Sequence, residues 1–250
     1  MFSVVALPAH LADRFSPTLA RALRLGSAAG SARAEGFAFD IPHLDALLPD
    51  AGLLRGGVVE LALREGVPAT SLVLSACRAI QGASEREARS LPWCAFVDPS
   101  STLHAPGVVE AGVRLERLLV VRPPLDALSR TALRLAKSAA FELVVVDLVG
   151  VRGASPRVSP DSWQRAVRRL AMEVDGTRRS VVLLTDASAP RALPLPVAQR
   201  IELERPRRDR LIVRVAKDCQ GRVGPPRPIT WTRAKPDPEQ EGEEQHAKTG

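Results

Sequence analysis

Five short apolar runs alternate with amphipathic segments along the middle of the chain. The runs are VVEL, WCAFV, LLVV, LVVVD and VVLLT, at 58–61, 93–97, 118–121, 143–147 and 181–185. Between them, helical periodicity is present at 70–82, 124–139 and 160–174. Continuous apolar strands separated by helices are typical of a parallel sheet that is covered on both faces.

After Pro196 the pattern changes to alternation of apolar and polar residues. It is seen in AQRIELER (198–205), DRLIVRVAKD (209–218) and RPITWTR (227–233). Alternation of this kind indicates antiparallel strands that are covered on one face. The sequence therefore predicts an α/β fold: a mostly parallel twisted sheet flanked by helices, with an antiparallel edge near the C-terminus.

The two ends of the chain differ from its body. Residues 11–24 predict an amphipathic helix with Leu19 and Leu23 on its apolar side, and the small residues of 26–36 predict a linker. The acidic stretch 236–250 is expected to be disordered. The predicted organisation is an N-terminal helical arm and linker (1–36), a core (37–235) and an acidic tail (236–250).

Composition excludes several classes of protein. Of 250 residues, 45% are hydrophobic and 25% are charged, which excludes a disordered chain. No apolar run approaches the roughly 18 residues of a membrane span, and the first residues do not resemble a secretory signal. Three widely spaced cysteines exclude a disulfide framework and a structural zinc site. We therefore expect a cytoplasmic protein with no metal site and no membrane partner.

The charge is unevenly distributed. The chain carries +7, and because the acidic tail carries −4, the remaining residues carry +11. A positive body could bind phosphate groups, but a solvated basic face is an equally open interpretation.

Several ordered segments between about 37 and 232 resemble landmarks of the RecA family. GLLRGGVVEL (52–61) resembles the strand that leads into the phosphate-binding loop, and CAFVDPSSTLHAP (94–106) resembles the segment of the water-activating glutamate. AAFELVVVDLVGV (139–151) resembles the Walker B strand, and RRSVVLLTDA (178–187) the sensor strand. The resemblance implies a RecA-like core.

The phosphate-binding loop itself is degenerate. Its pattern, GxxxxGK[ST], falls on 63–70, where Leu63 and Pro68 replace the glycines and Ala69 replaces the lysine. Proline has no N–H to donate to a phosphate, and alanine cannot neutralise one. Only Thr70, at the magnesium-ligand position, is retained.

The resemblance implies further positions of a nucleotide site. These are Glu65 in the loop, Asp147 at the end of the Walker B-like strand, and Lys217, which matches a lysine that reaches a neighbour's nucleotide. Asp147 could equally cap a strand end, and Lys217 could be an exposed strand lysine. Ser100 replaces the catalytic glutamate and cannot act as a general base. We expect no catalytic residues and no cofactor, with ATP and magnesium as the alternative.

Three arginines lie in loops that resemble the DNA-facing loops of the family. They are Arg152, Arg157 and Arg191. Phosphate contact and a solvated loop are both open interpretations. Six Phe, three Trp and no Tyr leave little aromatic surface for base stacking.

Within the RecA family, a short chain with a degenerate loop is most similar to the ImuA group. That resemblance implies a non-catalytic accessory protein of the SOS response, which acts in DNA repair by translesion synthesis and mutagenesis. The implied partners are RecA, an ImuB-type polymerase-like subunit and an error-prone replicative-type polymerase, with DNA possible. It also implies a contact with RecA that limits filament assembly. The apolar face with Leu19 and Leu23 would make this contact, or would fold back on the chain's own core. A DNA-stimulated ATPase with an unconventional loop and a basic DNA-binding module are the alternatives.

Overall fold

The structure is a computed structural model that describes residues 36–86, 92–149, 160–188 and 195–231. The predicted arm and the acidic tail lie outside these residues. The account of the fold that follows is restricted to the described ranges.

The described residues form one eight-stranded sheet in the order β3-β2-β4-β5-β1-β6-β7-β8. Strands β1 to β6 run parallel, and β7 and β8 are antiparallel to their neighbours. The mostly parallel sheet with an antiparallel C-terminal edge is thus confirmed. The strands are β1 Val58–Leu63, β2 Trp93–Val97, β3 Leu118–Val121, β4 Phe141–Asp147, β5 Ser180–Asp186, β6 Gln199–Arg207, β7 Arg210–Asp218 and β8 Arg227–Thr230.

Helices connect the parallel strands, and the three helices predicted from periodicity are confirmed. The helices are α1 Pro42–Asp45, α2 Ala69–Arg86, α3 Ala105–Glu110, α4 Leu128–Lys137 and α5 Pro160–Val174, with 3₁₀ turns at Pro49–Ala51, Leu115–Arg117 and Leu125–Ala127. Helix α3 was not predicted, because six residues are too short to show a periodicity. It begins after His104, whose ring accepts a hydrogen bond from the Gly107 N–H.

Two apolar cores lie on opposite faces of the sheet. Because successive strand residues point to opposite faces, Leu61 packs in the core that contains α2, whereas Val58 packs in the core that contains α4 and α5. Cys77, on α2, is buried in the first of these cores. The segment 37–53, which precedes β1, is part of the same core.

An arginine clamp joins this N-terminal segment to the loop after β7. The Arg222 guanidinium donates to both carboxylate oxygens of Asp50 at 2.7 and 2.8 Å and to those of Asp218 at 2.8 and 3.2 Å. These two carboxylates raise the pKa of Arg222, so its guanidinium stays protonated. The clamp fixes the chain just before it enters β1.

Candidate functional site

The carboxyl ends of the parallel strands meet at one edge of the sheet, which we call the carboxyl edge. After β1 the chain passes to α2 on one face, and after β4 it passes to α5 on the other. Open parallel sheets bind ligands where connections diverge to opposite faces in this way. The carboxyl edge is therefore the place to look for a functional site.

Three backbone amides of the loop after β1 donate hydrogen bonds to protein carbonyls. The Arg64 N–H donates to the Leu203 carbonyl at 2.9 Å, the Val67 N–H to the Arg64 carbonyl at 3.3 Å, and the Ala69 N–H to the Val67 carbonyl at 2.8 Å. Pro68 has no N–H at all. A phosphate-binding loop works by turning such amides towards the anion. In this loop, three amides are already satisfied and a fourth is missing.

The two side chains expected to serve a nucleotide in this loop follow β1, whereas the expected magnesium ligand, Asp147, ends β4. Glu65 is exposed, and Thr70, the second residue of α2, is half-buried. Within the described ranges, no hydrogen bond or ion pair joins either residue to Asp147. Strand β5 lies between β1 and β4, so the two groups extend from strands that are not neighbours.

A buried carboxylate organises the loop after β2 instead. Asp98 has no exposed surface and accepts hydrogen bonds from the N–H groups of Thr102 at 2.9 Å and Leu103 at 3.0 Å. The guanidinium of Arg122 lies 3.5 Å from the same carboxylate and donates to the Leu103 carbonyl at 2.7 Å. Asp98 therefore orders the segment that carries Ser100.

The predicted magnesium ligand Asp147 lies beside this network. The Thr102 hydroxyl is 3.1 Å from Asp98 and 3.5 Å from Asp147, and so bridges the two carboxylates. Asp147 also accepts the Val149 N–H at 2.9 Å. These contacts are those of a carboxylate that orders the ends of strands. Among the described residues, no group of three or more His, Cys, Asp or Glu side chains is arranged to hold a metal ion.

Lys217 lies away from the carboxyl edge. It is exposed on β7 and pairs with Arg200 of β6. Arg200 in turn pairs with Glu60, in the first half of β1. The structure therefore brings Lys217 near Glu60 and does not bring it together with Thr70 and Asp147.

Glu60 is a buried acidic residue that sequence analysis did not single out. Its carboxylate accepts a hydrogen bond from the Thr185 hydroxyl at 2.7 Å and lies 3.2 and 3.3 Å from the Arg200 guanidinium. Burial raises the pKa of Glu60, and the Thr185 hydrogen bond and the charges of Arg200 and Lys217 partly oppose this effect. A glutamate inside the apolar run VVEL was the available signal, since a carboxylate buried there needs a partner.

The turn between β6 and β7 lies against the loop after β1. The Arg205 guanidinium donates to the Gly66 carbonyl at 3.3 Å and to the Arg208 carbonyl at 2.6 and 3.2 Å. Arg64 and Glu204 form an ion pair at 3.4 Å between the same two segments. Two arginine side chains, Arg64 and Arg205, therefore link the loop after β1 to the β6–β7 turn, and they bind a carboxylate and protein carbonyls.

The remaining predicted site residues lie outside the described residues. These are the three arginines expected to face DNA, Arg152, Arg157 and Arg191, and the two leucines expected to contact a partner, Leu19 and Leu23.

No protein-family model matches this chain, and no curated protein matches it with significance. Within the described ranges, every helix is too short or too polar to cross a membrane.

Proposed function

We propose that this protein is a non-catalytic, RecA-like accessory protein of the bacterial DNA damage response. It would act in translesion synthesis by binding RecA, error-prone polymerase partners, or both. The observation that carries the proposal is the loop after β1. Its position at the carboxyl edge suits a nucleotide site, but three of its amides donate to protein carbonyls, Pro68 has no N–H, and alanine stands at the position of the lysine.

The order of the strands supports a RecA-like core. The strands that resemble the loop, sensor, Walker B and glutamate strands are β1, β5, β4 and β2, and they are consecutive neighbours in the sheet. Because all four run parallel, the segments that follow them reach one edge. A resemblance read from separate stretches of sequence thus corresponds to a single place in the fold.

An apolar edge strand supports a protein partner. Strand β3 ends the sheet on one side, and Leu119 and Val120 are 37% and 36% exposed. Trp93 on β2 is 38% exposed nearby in the sheet. The opposite edge strand, β8, contains Arg227 and Pro228, residues that discourage strand addition. An exposed apolar edge without charged side chains is a candidate surface for a protein partner.

Loss of nucleotide chemistry fits a role in limiting RecA filaments. Subunits of a RecA filament are joined through bound nucleotide, which the resemblance places between neighbouring cores. A chain that docks on RecA without this chemistry would end a filament instead of extending it.

The test is binding to purified RecA and to the two polymerase-type partners in a pull-down with the full chain. Leu19→Asp with Leu23→Asp should abolish RecA binding at an unchanged melting temperature, because the arm would lose its apolar face. Thr18→Asp with Arg21→Gln changes the net charge by the same amount on the other side of the predicted helix, and should bind normally. Normal binding by the leucine variant, or no binding by the parent chain, would contradict the proposal.

A further inference from the structure

The turn between β6 and β7 presents a cluster of exposed arginines, which we call the arginine hairpin (205–210). It contains four arginines and one aspartate. Within the part of the chain that the structure describes, no acidic side chain pairs with Arg207, Arg208 or Arg210, all of which are exposed. The Arg205 guanidinium donates to the Arg208 carbonyl within the turn and to the Gly66 carbonyl in the loop after β1, which ties the turn to that loop.

The chain leaves the sheet directly beside this hairpin. Thr230, the last residue of β8, pairs with Arg210. The N–H of the buried Trp231 then donates to the Asp209 carbonyl at 2.8 Å. The segment that follows Trp231 therefore begins beside the arginine hairpin.

The next strongly charged segment of the chain has the opposite sign. Residues 237–244, which we call the acidic segment, contain an aspartate and four glutamates and no basic residue. Arg233 and Lys235 lie between Trp231 and this segment. Acidic residues occupy alternate positions from 237 to 243, so an extended chain would carry them on one side.

The distances allow an intramolecular contact. The first acidic residue, Asp237, lies six positions after Trp231, and a flexible chain of six residues spans about 12–15 Å. Because the segment is tethered beside its target, its effective concentration there is on the order of millimolar. Contacts that are individually weak can be populated at such a concentration.

We propose that the acidic segment binds the arginine hairpin of the same chain and occupies a surface that would otherwise accept a polyanion. The hairpin offers three exposed guanidinium groups with no acidic partner among the described residues, and guanidinium groups suit carboxylates. The acidic segment is the occupant because it carries the opposite charge and begins six positions after Trp231, which is hydrogen-bonded to the hairpin. This inference concerns the isolated chain and does not depend on whether the protein binds RecA.

The experiment measures cleavage of the acidic segment by a glutamate-specific protease, followed by mass spectrometry of the full chain. Arg207→Gln, Arg208→Gln and Arg210→Gln are combined in the hairpin variant. At about 10 mM salt, where charges act over about 30 Å, the hairpin variant should be cut roughly three- to tenfold faster than the parent. At 1 M salt the two chains should be cut at the same rate, because the Debye length falls to about 3 Å.

The matched control removes the same charge from another surface. Arg165→Gln, Arg168→Gln and Arg169→Gln alter three exposed arginines of α5. The control should be cut at the parent rate. Equal rates for the hairpin variant and the parent at low salt would overturn the proposal. So would equal acceleration in both triple variants, since the tail would then respond only to the total charge.

A second measurement does not depend on protease access. A spin label at Gln245→Cys, in a chain with Cys219→Ser, should broaden the amide signals of 207–210 in the parent, and much less in the hairpin variant. The probe for a competing anion is a short single-stranded DNA oligonucleotide. It should bind more tightly when the five acidic residues are changed to amides. Unchanged broadening in the hairpin variant, or equal oligonucleotide affinity with and without the acidic side chains, would overturn the proposal.

Discussion

The buried carboxylate of Glu60 makes the free energy of unfolding depend on pH. Its carboxylate lies in the interior of β1, where burial raises its pKa above the ordinary value of 4.5. Between 4.5 and the raised pKa, the folded state binds more protons at this site than the unfolded state does. The free energy of unfolding contributed by Glu60 should therefore fall as the pH rises through this interval.

Replacement of Glu60 by glutamine tests this sign. The amide keeps an oxygen that can accept the Thr185 hydrogen bond, but it does not titrate. Relative to the parent, Glu60→Gln should gain stability as the pH is raised from 4 to 7, because the parent then acquires a buried charge. The measurement is urea unfolding across this range, with the exposed Glu116→Gln as control. A stability difference between parent and variant that does not change with pH would contradict this prediction.

Individual side-chain partners could be predicted only where they are close in sequence. The Val149 N–H reaches Asp147 two residues away, and the strand-end role of this aspartate was one of the two interpretations available from the sequence. In contrast, Glu60 and Arg200 are 140 residues apart, and Asp50 and Arg222 are 172 residues apart. Such pairs depend on the order of strands in the sheet, which no local pattern encodes.

At the scale of elements, the sequence predicts strands better than loops. The apolar runs locate the parallel strands because a strand that is buried on both faces tolerates few polar residues. Bounds shift by one to a few residues, as at β4, where Phe141 begins the strand two residues before the predicted start. The loop after β1 was recognised as degenerate from Pro68 and Ala69. Its internal hydrogen bonds could not be predicted, since they depend on the path of the backbone.

This loop predicts that nucleotide neither binds nor turns over. The loop has no lysine, and three of its amides already donate to protein carbonyls, so a triphosphate would lack charge compensation there. Millimolar Mg-ATP should leave the melting temperature unchanged, because a ligand that does not bind the folded state cannot stabilise it. ATP hydrolysis should stay at background with or without DNA. A DNA-stimulated rate that disappears in Asp147→Ala would contradict this prediction and restore the ATPase alternative.

At the scale of the whole molecule, the loops that follow the parallel strands meet at one edge of a mostly parallel sheet. The carboxyl edge gathers Asp98, Thr102 and Asp147 into a network that orders loops. The sequence could indicate that the loops after the apolar runs meet at one edge, because continuous apolar runs separated by helices predict parallel strands. It could not indicate that Asp98 and Arg122 would form the centre of the network.

The most direct test of the central claim is the growth of RecA filaments on single-stranded DNA in the presence of this protein. RecA assembly is followed by fluorescence at a fixed excess of RecA, and filament lengths are measured by electron microscopy. The account predicts shorter filaments at substoichiometric amounts of the protein, no ATP consumption by the protein itself, and loss of the effect in Leu19→Asp with Leu23→Asp. Filaments of unchanged length at equimolar protein would contradict it.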